Sequence, residues 1–193
     1  MRRGFAIFLA FVLFIIFLVV ILTHGHKAPA PAPHVITLPE YADTTASVVM
    51  TTDGIVNGDD MHRQIRITVA QDRRLLEVIQ GYSGQVIDSH TFYNTNDAYA
   101  VFLRSINNGG FVSKAKAKKG VSAPSDERGQ CPLGFRYVFE LSNEGSDVSR
   151  LWTSSCATGN WGGILDTMQQ LFQNQIPNYS TLTENVNLEA TNL

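Results

Sequence analysis

Gly4 to Thr23 is a run of twenty residues without a charge, and beyond it the apolar positions fall into short segments of changing period. Ser47 to Met50 reads as a short strand running into a turn at Thr51-Thr-Asp-Gly54. Ile65, Ile67 and Val69 alternate with Arg66 and Thr68, the pattern of a strand with one buried face. Turn residues at Gln71 to Arg74 and at Gly81-Tyr-Ser-Gly84 separate this strand from Leu75–Gln80 and Gln85–Tyr93, which predicts a three-stranded meander. The period then lengthens. Asn94-Thr-Asn-Asp97 offers helix N-caps, and Ala98, Val101, Phe102, Ser105 and Ile106 recur at helical spacing up to Asn107-Asn-Gly-Gly110, where glycine ends the helix. Phe111 should fold back onto the core.

The stretch from Cys131 to Pro177 holds both cysteines and both tryptophans. Tyr137, Phe139 and Leu141 alternate with polar or smaller neighbours, as do Val148, Arg150 and Trp152, on either side of the turn-rich Ser142-Asn-Glu-Gly-Ser-Asp147. That is a β-hairpin pattern. Setting Leu141 opposite Val148 places Tyr137 opposite Trp152 and gathers the aromatic rings on one face, whereas a slip of one residue would set the aromatics against Ser and Thr. The first register is therefore expected. It also brings Cys131 and Cys156 to the open end of the hairpin, so a disulfide between them is predicted. After the glycine-rich loop Ala157–Gly163, the apolar stripe Ile164, Leu165, Met168, Leu171 and Phe172 predicts a second helix that Pro177 stops, with Trp161 packed beneath the turn before it. The loop lacks the lysine and spacing of a P-loop.

The opening apolar run is long enough to cross a hydrocarbon core of about 30 Å, and Arg2 and Arg3 before it predict a cytoplasmic start with everything after Thr23 outside. It exceeds the h-region of a signal peptide, and the small-residue pattern that follows is interrupted by proline, so an uncleaved signal anchor is expected in the plasma membrane. A type IV pilin start fits poorly, because Leu9 stands where an acidic residue belongs. Alternating proline and alanine from Lys27 to Pro33 make an extended spacer, and His24 and His26 beside the membrane have no third ligand nearby. The expected organisation is a cytoplasmic start at 1–3, an anchor at 4–23, a spacer at 24–36, an extracytoplasmic domain at 37–177 and a polar, frayed tail at 178–193. The fold class is α+β: an antiparallel sheet of about five strands with two helices on one face.

Charge narrows the partners. Arg2, Arg3 and Lys27 account for three of the fifteen basic residues, so the part from His34 onward carries twelve against seventeen acidic, a net of −5. Nucleic acid is excluded as the main partner. Lys114, Lys116, Lys118 and Lys119 lie in a long loop without apolar period and form a candidate contact for an anionic surface, although such runs are commonly just solvated. Cys156 with His62 or His90 could be written as a thiol and base, but two cysteines in an exported chain are better read as a bridge. Asp59, Asp60 and His62 fall in a turn pattern without partner ligands at a diagnostic spacing, and Ser154 and Ser155 fall in a strand. No catalytic, metal or cofactor-binding residues are assigned.

Several strings stand in one order: Asp53-Gly-Ile-Val-Asn-Gly58, His62-Arg63, Ile65-x-Ile-Thr-Val69, Gln80-Gly-Tyr82, Ala98-Tyr99, Cys131-Pro-x-Gly134, Leu151-Trp-x-Ser-x-Cys156 and Gln175-Ile-Pro177. Together they resemble an uncharacterised family of membrane-anchored exported proteins of Saccharibacteria and related patescibacteria, over most of the chain from Val48 to Tyr179. The resemblance implies a bacterial cell-surface setting and a two-cysteine domain, and supplies no catalytic residue. The function expected is a non-enzymatic module that binds a protein or an envelope polymer. The competing expectations are an extracytoplasmic enzyme acting on envelope material, which a pocket lined by His62 and His90 would favour, and a structural envelope protein.

Overall fold

The computed structural model describes Phe14, Ile15 and Phe17, then residues 37–115 and 126–189. Phe14, Ile15 and Phe17 are helical, while the rest of the expected anchor, the spacer, and Lys116, Lys118 and Lys119 lie outside the described residues. Among the described residues, no helix is long and apolar enough to cross a membrane. The chain divides into two units, Met1–Ile36 and Thr37–Leu193, and the second carries the sheet.

Six antiparallel strands form one sheet: β1 (Ser47–Asp53), β2 (Arg63–Ala70), β3 (Arg73–Gln80), β4 (Gln85–Tyr93), β5 (Arg136–Asn143) and β6 (Ser146–Ser154), in the order β4-β3-β2-β1-β5-β6. The helices are α1 (Asn96–Asn108), α2 (Leu165–Gln173) and the short α3 (Tyr179–Thr183). The class is α+β, with one strand more than the pattern suggested. β2, β3 and β4 make the expected meander. β1 runs through Thr51 and Thr52 to Asp53 instead of turning there, because it is central and both of its edges are taken, by β2 and by β5. Both threonines are buried, which shows how a central strand absorbs polar residues that read locally as a turn.

Val48, Met50, Ile65, Ile67, Val69 and Leu76 from one half of the sheet, and Tyr137, Phe139, Leu141 and Leu151 from the other, share a core with the helices. α1 is capped by Thr95, whose hydroxyl accepts the Ala98 N–H, and its buried stripe is Tyr99, Phe102, Leu103 and Ile106. The expected stripe was rotated: Val101 is exposed, while Tyr99 turns inward because its hydroxyl finds the Ala46 carbonyl at 2.8 Å. Gly110 adopts φ 83° after the helix, and Phe111 returns to the core against Phe139 and Phe172. α2 buries Met168 and Phe172, whereas Ile164, expected in its stripe, is the exposed N-cap. Trp161 packs against Phe139 in a tilted arrangement, ring centroids 4.4 Å apart, and donates its indole N–H to the carbonyls of Gly110 and Phe111.

The β5–β6 register corrects the expected one. Glu144 and Gly145, both with positive φ, form a two-residue turn that pairs Asn143 with Ser146. A bulge then leaves Val148 unpaired, so Leu141 faces Ser149, Phe139 faces Leu151, and Tyr137 faces Thr153. Trp152 consequently lies on the face away from the helices, opposite Val138, and is fully buried there. The expectation failed because that second face is also covered at this end: Glu127 holds Arg150 and the Gln130 carbonyl accepts from Arg136. Beyond Pro177 the chain also packs. Val186 and Leu188 lie against the core, and the Leu188 carbonyl accepts the Ile55 N–H, so the segment expected to fray is part of the fold as far as Glu189.

Candidate functional site

Because the strands alternate in direction, β1, β3 and β6 end, and β2, β4 and β5 begin, at the same end of the sheet. Three loops gather there: Gly54–His62, Gly81–Gly84, and the segment from Cys131 to Phe135 that enters β5. This is the end opposite Ser47, where the chain joins the sheet.

A charged cluster supports these loops. Asp53, the last residue of β1, holds Arg136 through Oδ2 and Nε at 2.7 Å, and its Oδ1 lies 2.8 Å from His62 Nε2. The second contact is close but out of line for a hydrogen bond. Cross-strand pairing sets up the geometry, since Asp53 is directly opposite both Gln64 on β2 and Arg136 on β5. Arg136 is 2% exposed and also donates to the carbonyls of Gly54 and Gln130. His62 has no exposed surface; its Nδ1 lies 3.1 Å from the Ile55 carbonyl, and Tyr82 stacks on its ring with centroids 4.1 Å apart. The Tyr82 hydroxyl donates to the Asn57 carbonyl and accepts from the Asn57 N–H, and its backbone N–H donates to Asp59.

This arrangement decides what His62 does. Both ring nitrogens face protein groups, one face of the ring is covered, and none of it reaches solvent, so it has no route to a substrate proton. It is a strut. Asp59 is turned toward Tyr82 and not toward His62, and among the described residues no three His, Cys, Asp or Glu side chains gather as a metal site. His90 is on β4, away from His62, with Asp88 at 3.0 Å. Ser154 bonds Thr158, and the Ser155 hydroxyl accepts the Phe135 N–H, so neither stands beside a base.

Beside the cluster, on the face away from the helices, an open polar cleft runs between Arg66 on β2 and Arg150 on β6, floored by Thr51 and Val138. Arg150 bonds Glu127 through both terminal nitrogens, at 2.6 and 2.8 Å, and Glu140 through Nε. Burial pushes the Glu127 carboxyl up, but the Arg150 guanidinium more than offsets this and holds it below the usual carboxylate range. A carboxylate locked in this way is an anchor for the 126–130 segment and not a proton donor.

The predicted bridge is present: Cys131 and Cys156 are disulfide-bonded, with Cα atoms 5.6 Å apart. It ties the Pro132–Gly134 turn to the end of β6, and the Pro132 carbonyl accepts the Val56 N–H, joining that turn to the first loop. Lys114 is exposed and bridges to Trp161 through its backbone. On the loops so fixed stand four exposed apolar side chains: Val56, Met61, Tyr82 and Leu133, the last 86% exposed. Sequence reasoning named His62 only as a candidate base or ligand and did not bring Asp53 and Arg136 to it, since no local pattern reports a pairing across three strands. Compared with known proteins, the chain matches no family model and no curated protein.

Proposed function

We propose that the domain is a non-enzymatic interaction module that uses the loop end of its sheet to bind a partner protein. The observation that carries this is the contrast at that end: the ionisable groups beneath the loops lie against one another and are largely buried, while Val56, Met61, Tyr82 and Leu133 project from the loops exposed. Apolar side chains grouped on preordered loops are what a binding surface requires and what a solvated surface avoids. Asp59 and Asp60 on the same loop are exposed, and the net charge of −5 from His34 onward has the same sign, so the surface fits a partner that is apolar with basic flanks. The uncharged run Gly4–Thr23 and the resemblance to exported patescibacterial proteins support a plasma-membrane anchor with this module on the outer side.

The test is a photoreactive residue placed at Tyr82 in the full chain, in cells that export it, with the same residue at Val101 on the exposed face of α1 as reference. A defined adduct of one mass from position 82 and none from position 101 is the expected outcome. Equal labelling at both positions, or no adduct at 82, would remove the loop end as the binding surface.

A further inference from the structure

The two edges of the sheet differ. At the C-terminal end of β6 the chain covers its own edge: Thr153 bridges to Gly159, the Trp152 carbonyl accepts from Asn160 and Trp161, and the Trp152 N–H donates to the Asn160 side chain. At β4, among the described residues, no strand or loop lies along the outer edge, and Val86, Ile87 and Tyr93 are exposed. An uncovered edge strand is a template for another strand, and proteins that keep such edges apart place lysine or proline on them. β4, Gln-Val-Ile-Asp-Ser-His-Thr-Phe-Tyr, has neither. Its irregularity is a single bulge at the Val86–Asp88 end.

We propose that β4 pairs with β4 of a second copy of this chain, antiparallel about a two-fold axis at Ser89, joining two six-stranded sheets into one. Charge complementarity within the strand selects both the occupant and the register. A two-fold axis through the sheet keeps each copy's faces on the same sides, so only registers that place a residue opposite its own counterpart at the axis are allowed. An axis at Asp88 sets two carboxylates against each other. An axis at His90 sets Asp88 against the second copy's Phe92. Only an axis at Ser89 sets each Asp88 opposite the other copy's His90, twice over, on one face. These side chains already make this contact within one strand, at 3.0 Å, and stand partly in solvent with the Asp88 side chain 50% exposed, so they can exchange it across the axis. Pairing β4 with β4 about a two-fold axis uses the β4 edge of both copies, so it closes as a dimer. The paired length is only a few residues and the bulge limits it, so the dimer is weak in dilute solution and is favoured where copies are concentrated.

Engineered cysteine trapping in the full chain, in cells, tests this directly, since the native cysteines are already bonded to each other. Ser89→Cys places two thiols face to face across the axis, and mild oxidation should give a covalent dimer that Val101→Cys, on the exposed side of α1, does not give. Adding Asp88→Lys should abolish the dimer, and adding His90→Glu to that variant should restore it, because unlike charges then meet again in the same register. A monomer from Ser89→Cys, or equal dimer from Val101→Cys, overturns the pairing. Dimer that survives Asp88→Lys, or that His90→Glu fails to restore, overturns the register on which the proposal rests.

Discussion

Replacing Asp53 by alanine removes the one carboxylate that lies between a buried guanidinium and a buried imidazole. Breaking a buried ion pair by deleting one partner costs about 3–5 kcal/mol, because the other charge stays behind without a counterion. Arg136, at 2% exposure, is that charge. It keeps the carbonyls of Gly54 and Gln130 as hydrogen-bond acceptors, and the Asp53 side chain is itself 14% exposed, so water can enter part of the space. Both considerations favour the lower end, about 3 kcal/mol. In a domain of this size each kilocalorie lowers the melting temperature by about 2–4 °C, so the variant should melt about 6–12 °C lower. Urea denaturation of wild type, Asp53→Ala, Arg136→Leu and the double variant checks it as a cycle. The double variant should be more stable than the sum of the single losses implies, since with the guanidinium gone the missing carboxylate leaves less behind. A loss below about 1 kcal/mol for Asp53→Ala, or strict additivity in the cycle, would refute the cluster as the support of the loop end.

Cys131→Ser should cost about 3–4 kcal/mol at most, from the loop entropy of a bridge spanning 25 positions, and lower the melting temperature by several degrees, while reductant leaves the variant's melt unchanged and shifts that of the wild type. Glu144→Asn should stabilise by about 0.5–1 kcal/mol in urea denaturation, because Glu144 holds φ 53° in the two-residue turn and asparagine tolerates that region better. Burial raises the phenol pKa of Tyr99, and also those of Tyr137 and Tyr179. The fold therefore favours the neutral phenols: their contribution is complete below the unfolded value of about 10 and is lost as pH rises above it. Urea midpoints should fall as pH rises from about 9 to about 11, roughly one unit either side of that value, and Tyr99→Phe should flatten the slope.

What the sequence disclosed follows the range of the interactions involved. The meander was legible because Ile65, Ile67 and Val69 alternate cleanly and glycines mark the Gly81–Gly84 turn. The bridge was legible because two cysteines leave one pairing. The hairpin register was not, since it depends on Val148 being bulged out and on a segment outside the hairpin covering Trp152's face. The α1 stripe was displaced by a rotation, because Tyr99, Phe102, Leu103 and Ile106 recur at the same spacing as Ala98, Val101, Phe102 and Ser105, and the bond from Tyr99 to the Ala46 carbonyl joins the larger side chains in turning the first set inward. The Asp53–His62–Arg136 cluster joins residues 83 positions apart through β1's central place between β2 and β5, which is a property of topology and not of any motif.

That same topology explains why titratable groups at the loop end serve architecture. Placing β1 between β2 and β5 drives Asp53 to the point where three strands meet the loops, and a carboxylate that is only 14% exposed there must be answered by cations or donors. Arg136 answers it, with His62 packed alongside, and each in turn fixes a loop: Arg136 through the Gly54 and Gln130 carbonyls, His62 through the Ile55 carbonyl and the stacked Tyr82. The disulfide adds the third loop by holding the turn whose Pro132 carbonyl takes the Val56 N–H. Ordering flexible side chains and loops is a main cost of association. Here that cost is met during folding, so four apolar side chains can stand exposed on loops that do not collapse over them, which is what the proposed binding surface requires.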